Sequence, residues 1–114
     1  MKNSWKPLQL LREASLDFEH NCLNKCVSAC YFSVRMAVEE YASMLRVHVP
    51  RRDDKLANVL RNSGFPDLAV KMLRLYELRK KADYSSHSVS LDEASESLET
   101  AKHIVEVLKS ILNV

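Results

Sequence analysis

A single glycine, Gly64, in 114 residues is the feature that most limits what this chain can become. Proline occurs three times, at Pro7, Pro50 and Pro66. Turn-rich β architectures need such residues repeatedly, because tight turns demand backbone angles that other side chains resist. The scarcity predicts long helices joined at a few corners. With 46% apolar residues, the chain is long enough for one domain with a true core and too short for two. Residues 1–114 are therefore read as one helical domain.

Apolar residues at helical spacing set out the elements. Leu8, Leu11, Ser15, Phe18 and Cys22 mark a first helix from about Ser4 to Glu19, with Pro7 tolerated in its first turn. His20 and Asn21 supply the turn, since asparagine accepts the left-handed conformation that ends helices. The second helix is predicted over Leu23 to His48, with Cys26, Ala29, Cys30, Ser33, Ala37, Tyr41 and Met44 inward and Pro50 closing it. Asp53 or Asp54 caps a short third helix that carries Leu56, Val59 and Leu60 and ends at Ser63 and Gly64. A fourth begins near Asp67, and the polar loop Ser85 to Ser90 separates it from a last helix capped by Ser90 or Asp92. That helix buries Ala94, Leu98, Ala101, Val105, Leu108 and Leu112. Short connections make neighbours antiparallel, so the expected fold is all-α, an up-and-down antiparallel bundle of four main helices plus one short helix.

The formal charge of +2 is modest, no apolar run approaches a membrane span, and the start lacks a secretory pattern. A soluble cytoplasmic protein is expected. Cys22, Cys26 and Cys30, odd in number and four apart, cannot close a disulfide framework, and they lack the fourth donor a zinc site needs. They read as small core residues. No glycine-rich phosphate loop or nucleophile elbow is present, and no cofactor or metal is implied. Basic residues gather at Lys71, Arg74, Arg79, Lys80 and Lys81, with Arg46, Arg51, Arg52 and Lys55 near the first corner. Asp92, Glu93, Glu96, Glu99 and Glu106 make the last helix acidic, able to pair with the basic one within a chain or across a dimer.

Two charges interrupt the apolar faces. Arg79 falls on the stripe formed by Leu68, Met72, Leu75 and Ala82, and Glu40 lies within roughly 40° of the centre of the second helix's stripe. Burying a charge is costly unless it is paired, so a Glu40–Arg79 pair is expected. The alternative is that both side chains run to a bundle end with wet heads. Val27, Tyr31, Val38 and Leu45 form a second apolar strip on the second helix, which needs either another helix of the same chain or a dimer partner.

The strings ACYFSVRMAVEE (residues 29–40) and LRKKADYSS (residues 78–86), followed by SLDEASESLETAKHIVEVL, resemble in order and spacing the HEPN domain family, in the branch whose later helix reads R-x-x-A-D-Y. The resemblance implies a helical bundle, commonly a homodimer. It further implies a nucleotide- or RNA-related activity, in many members metal-independent RNA cleavage, and frequent pairing with a minimal nucleotidyltransferase in toxin–antitoxin modules. The family's catalytic pattern is an arginine, four to six residues, then a histidine. Arg79 matches the arginine, but Tyr84 stands after four residues and His87 only after seven. An imidazole exchanges a proton near neutral pH, whereas a phenol holds its proton there. Binding is therefore expected to outlast cleavage. Arg79 and Tyr84 are the candidate catalytic pair, and Arg79, Lys80, Asp83 and His87 the candidate phosphate-binding set, with Glu40 supporting. Three readings follow. The chain is a nucleotide- or RNA-phosphate-binding module, an unusual ribonuclease using Arg79 with Tyr84 or His87, or a purely structural bundle. By the same resemblance Tyr84 is a candidate acceptor of a nucleotide from the partner enzyme.

Overall fold

The computed structural model describes residues 5–114 and consists of α1 (Lys6–Glu19), α2 (Leu23–Met44), α3 (Asp53–Asn62), α4 (Pro66–Tyr84) and α5 (Leu91–Leu112). The expected start at Ser4 lies outside the described residues. Helix ends follow local chemistry. Asn21, Arg46 and Gly64 each take a left-handed backbone, with φ of 60°, 60° and 100°. The amide of each left-handed residue bonds the third residue back, and the next amide closes the turn onto the fifth residue back, Cys22 to Asp17, Val47 to Ala42 and Phe65 to Leu60. This double closure satisfies carbonyls that a helix end otherwise strands. At Arg46 it stops α2 at Met44, short of the expected His48 and without the help of Pro50.

The N-termini divide between predicted and unpredicted devices. Ser90 caps α5 in a full capping box, its hydroxyl accepting from the Glu93 amide and the Glu93 carboxylate accepting from the Ser90 amide. For α3 the cap position is Arg52, and Asp53 and Asp54 both fall inside the first turn. They act there as negative charges at the positive end of the helix rather than as caps.

Long-range pairs fix the directions. Residue 33 of α2 meets residue 7 of α1, Ser33 donating to the Pro7 carbonyl at 2.6 Å, while Trp5 Nε1 donates to Glu40 at 2.6 Å. Ser28 of α2 bonds Asp83 of α4 and Tyr31 meets the ring of Tyr76, and Arg74 and Lys81 of α4 pair with Glu96 and Glu93 of α5. Each pair runs one number up as the other runs down, so α1, α2, α4 and α5 alternate in direction as an up-and-down bundle. The last two pairs also show the acidic helix meeting the basic one within the chain.

The core joins all five helices, from Leu11 of α1 to Leu108 of α5. Ala14, Cys26, Cys30, Ala37, Ala94 and Ala101 are fully buried, and such small side chains let helix backbones approach closely. Cys22, by contrast, is exposed, beyond the end of α1. Ala29 is only half-buried and Met44 exposed, while Val27, Val34, Val38 and Ala42 are inside. Val27, Tyr31 and Val38 are thus covered by the chain's own helices, and Leu45 alone of that strip stays exposed. The buried face of α4 is carried by Leu68, Ala69, Met72, Leu75 and Leu78. Leu78 therefore takes the central place expected of Arg79, and the arginine sits at the margin of the seam. Among the described residues, no helix is long and apolar enough to cross a membrane.

Candidate functional site

Arg79 projects from α4 at the edge of its contact with α2, its side chain 20% exposed. Its Nε donates to Asp83 Oδ2 at 2.8 Å, one helical turn on. The other carboxylate oxygen of Asp83 accepts from the Ser28 hydroxyl. Asp83 is held from both helices, and it turns the guanidinium toward three rings. The Arg79 Cζ lies 4.8 Å from the centroid of Tyr31, 5.3 Å from Phe32 and 5.4 Å from Tyr84. Attraction between a cation and an aromatic face contributes about 0.5–2 kcal/mol, more when water is excluded. These contacts explain how the charge is tolerated beside the core without Glu40.

Glu40 is not the partner. It is exposed and accepts from Trp5 at the α1 end of the bundle. The remaining expected residues separate as well. Lys80 turns away to Glu77, at 3.0 Å, and lies over the Tyr76 ring at 4.9 Å. His87 is exposed in the connection to α5, its backbone amide donating to Ser85 Oγ and its ring meeting Ser86 Oγ at 3.4 Å. The structure brings together Arg79, Asp83 and Tyr84, and adds Ser28, Tyr31 and Phe32.

Beneath the rings lies a polar network that sequence reasoning missed. The Tyr31 hydroxyl donates to Asp53, at 2.8 Å and 3.0 Å from its two oxygens. Arg35 donates to the same carboxylate at 3.0 Å, to Glu39 at 3.0 Å and to the Pro50 carbonyl at 3.1 Å. Burial and the Asp53 carboxylate push the Tyr31 phenol up to about 12, since a phenolate there would be both desolvated and beside a negative charge. Burial alone would weaken the Arg35 charge, but the hydrogen bond and charge of Asp53, with Glu39, raise its proton affinity overall. The floor of the site is thereby locked to the corner between α2 and α3.

One signal for Phe32 was present in the sequence. Neighbouring residues on a helix diverge by about 100°, so Tyr31 and Phe32 could not both enter the same seam. Phe32 stays 42% exposed and meets Tyr31 edge to face at 4.9 Å. For the Asp53–Arg35 pair no such signal exists, because it spans an irregular corner.

The chain from the first turn of α1 to the last turn of α5, residues 8–111, matches the family model of the HEPN domain. This chain belongs to the HEPN family. No curated protein matches it. A nucleotide- or RNA-related module is the general reading that membership supports. In this HEPN domain Arg79, the arginine singled out by the sequence resemblance, has the ring of Tyr84 beside it, 5.4 Å from the guanidinium carbon. Among the described residues no group of three or more histidine, cysteine or carboxylate side chains could hold a metal ion.

Proposed function

We propose that this HEPN domain binds the phosphate of a nucleotide or RNA through Arg79 and does not cleave it. The observation that carries this is the state of the guanidinium. Asp83 takes Nε alone, and among the described residues the two terminal nitrogens of Arg79 have no hydrogen-bond partner. A guanidinium oriented by one carboxylate, with no acceptor on either terminal nitrogen among the described residues, keeps the fork that grips phosphate oxygens. Tyr84 is 73% exposed and can donate to a phosphate oxygen, but a phenol is poorly suited to shuttle a proton at neutral pH.

Fluorescence anisotropy with a labelled RNA tests the binding, and incubation of mixed RNA in chelator tests the chemistry. Arg79→Ala is expected to weaken binding about tenfold or more, to flatten its salt dependence by about one phosphate contact, and to leave the helical circular dichroism signal intact. Equal binding by Arg79→Ala refutes the proposal. Chelator-resistant cleavage that disappears in Arg79→Ala replaces it with the ribonuclease reading.

The pairing common in the family supports a minimal nucleotidyltransferase as partner in a toxin–antitoxin type module, and a homodimer as the working form. Tyr84 is the residue through which such a partner would act, because its exposed hydroxyl has no hydrogen bond to a described residue. Intact mass after incubation with the partner and a nucleoside triphosphate, with Tyr84→Phe as control, tests this. An unchanged mass with an active partner removes it. Light scattering on a sizing column tests the dimer.

A further inference from the structure

We infer that Phe32 and Tyr84 form an aromatic seat for one unpaired base next to the Arg79 phosphate contact. The inference rests on the phosphate-binding reading and adds the part of the ligand that the arginine does not touch. Phe32 has no polar atom, so water gains nothing from its exposure, yet 42% of it is open. It stands on one of the longest helices, where the neighbouring Tyr31 already fills the seam with α4. Tyr84 ends α4 and is 73% exposed. Both rings lie within 5.4 Å of the Arg79 Cζ, so the two most exposed aromatic side chains flank the same cation.

The seat is braced rather than loose. Phe32 rests edge-on against Tyr31, with the rings inclined at 74°. Tyr31 is fixed by Asp53, and Asp83 holds Arg79 in place by its Nε. A free aromatic face beside phosphate donors is the combination that single-stranded nucleic acid recognises, because stacking on the base is independent of which base it is. In a duplex both faces of a base are covered by its neighbours, leaving only backbone for Arg79. The site therefore favours unpaired nucleotides, and Phe32 is the residue that separates them from paired ones.

The experiment compares an unstructured labelled RNA with the same strand annealed to its complement, using wild type, Phe32→Ala, Phe32→Tyr and Arg79→Ala. A strand carrying 2-aminopurine reports stacking directly as fluorescence quenching. Wild type is expected to bind the unpaired strand more tightly than the duplex and to quench the probe. Phe32→Ala should bind the unpaired strand about tenfold more weakly, weaken duplex binding far less and relieve the quenching, and Phe32→Tyr should restore it. Equal binding of both forms, unaltered by Phe32→Ala while Arg79→Ala weakens each, overturns the seat and leaves the phosphate site standing. Failure of wild type to bind either form overturns both.

Discussion

Replacing Asp53 by alanine is the sharpest test of how the site is held. Its carboxylate is 10% exposed and serves two partners, the Tyr31 hydroxyl at 2.8 Å and Arg35 at 3.0 Å. The Arg35 side chain is itself 15% exposed. Breaking a buried ion pair by removing one member costs about 3–5 kcal/mol, because the survivor stays desolvated. Arg35 keeps Glu39 and the Pro50 carbonyl, which lowers the expected loss to about 2–3 kcal/mol. For a chain of this length that corresponds to a fall in Tm of roughly 8–15 °C. Tyr31→Phe removes one hydrogen bond and should cost about 1 kcal/mol. Because both substitutions remove the same contact, the double variant should lose less than the sum of the two. Urea denaturation followed by circular dichroism reads each value as a shift of midpoint at constant slope. An Asp53→Ala protein within about 0.5 kcal/mol of wild type, well under the buried-pair cost, or strictly additive losses, would refute this account of the network.

Alkaline stability provides a second measurement. A Tyr31 phenol raised from 10 to about 12 means that the unfolded chain ionises first, so stability is intact below about pH 10 and is lost as pH rises toward about 12. Tyr31→Phe should flatten that decline, and an identical decline in the variant contradicts the assignment. Ser90→Ala removes the hydroxyl of the α5 capping box and should cost about 1 kcal/mol in urea denaturation; no loss would show the cap to be redundant. Thiol titration should find Cys22 reacting quickly in the folded protein. Cys26 and Cys30, fully buried, should react only as fast as the fold opens, and three equal rates would contradict the core assignment. The hydrogen bond with Cys26 and burial also hold the Cys30 thiol above its ordinary range, which disfavours the reactive thiolate.

Arg79 shows where reading the sequence succeeds and where it stops. A wheel of about 100° per residue flagged it on the inward side of α4, and it lies at the margin of that face, its side chain 20% exposed. The same wheel chose the wrong partner. It gives the face of a helix but not the height at which two helices meet, and the register sets Ser28 against Asp83 and Tyr31 beside Arg79. Glu40 lies roughly 13 Å further along the axis of α2 than Tyr31, at 1.5 Å per residue. Asp83 was reachable from the sequence, since an arginine and an acid four apart on a helix face each other. Ser28 and Asp53 were not.

What the sequence determined by itself is therefore what short-range chemistry controls. One glycine and the apolar period dictate helices, and Asn21, Gly64 and Ser90 end or begin them through bonds to residues close by. The tertiary structure decided the rest. It covered Val27, Tyr31 and Val38 with the chain's own helices, left Phe32 outside, and brought Asp53 under Tyr31 across a corner. Those outcomes depend on the axial register and rotation of packed helices, which are set by the fit of many side chains at once and are encoded at no single position.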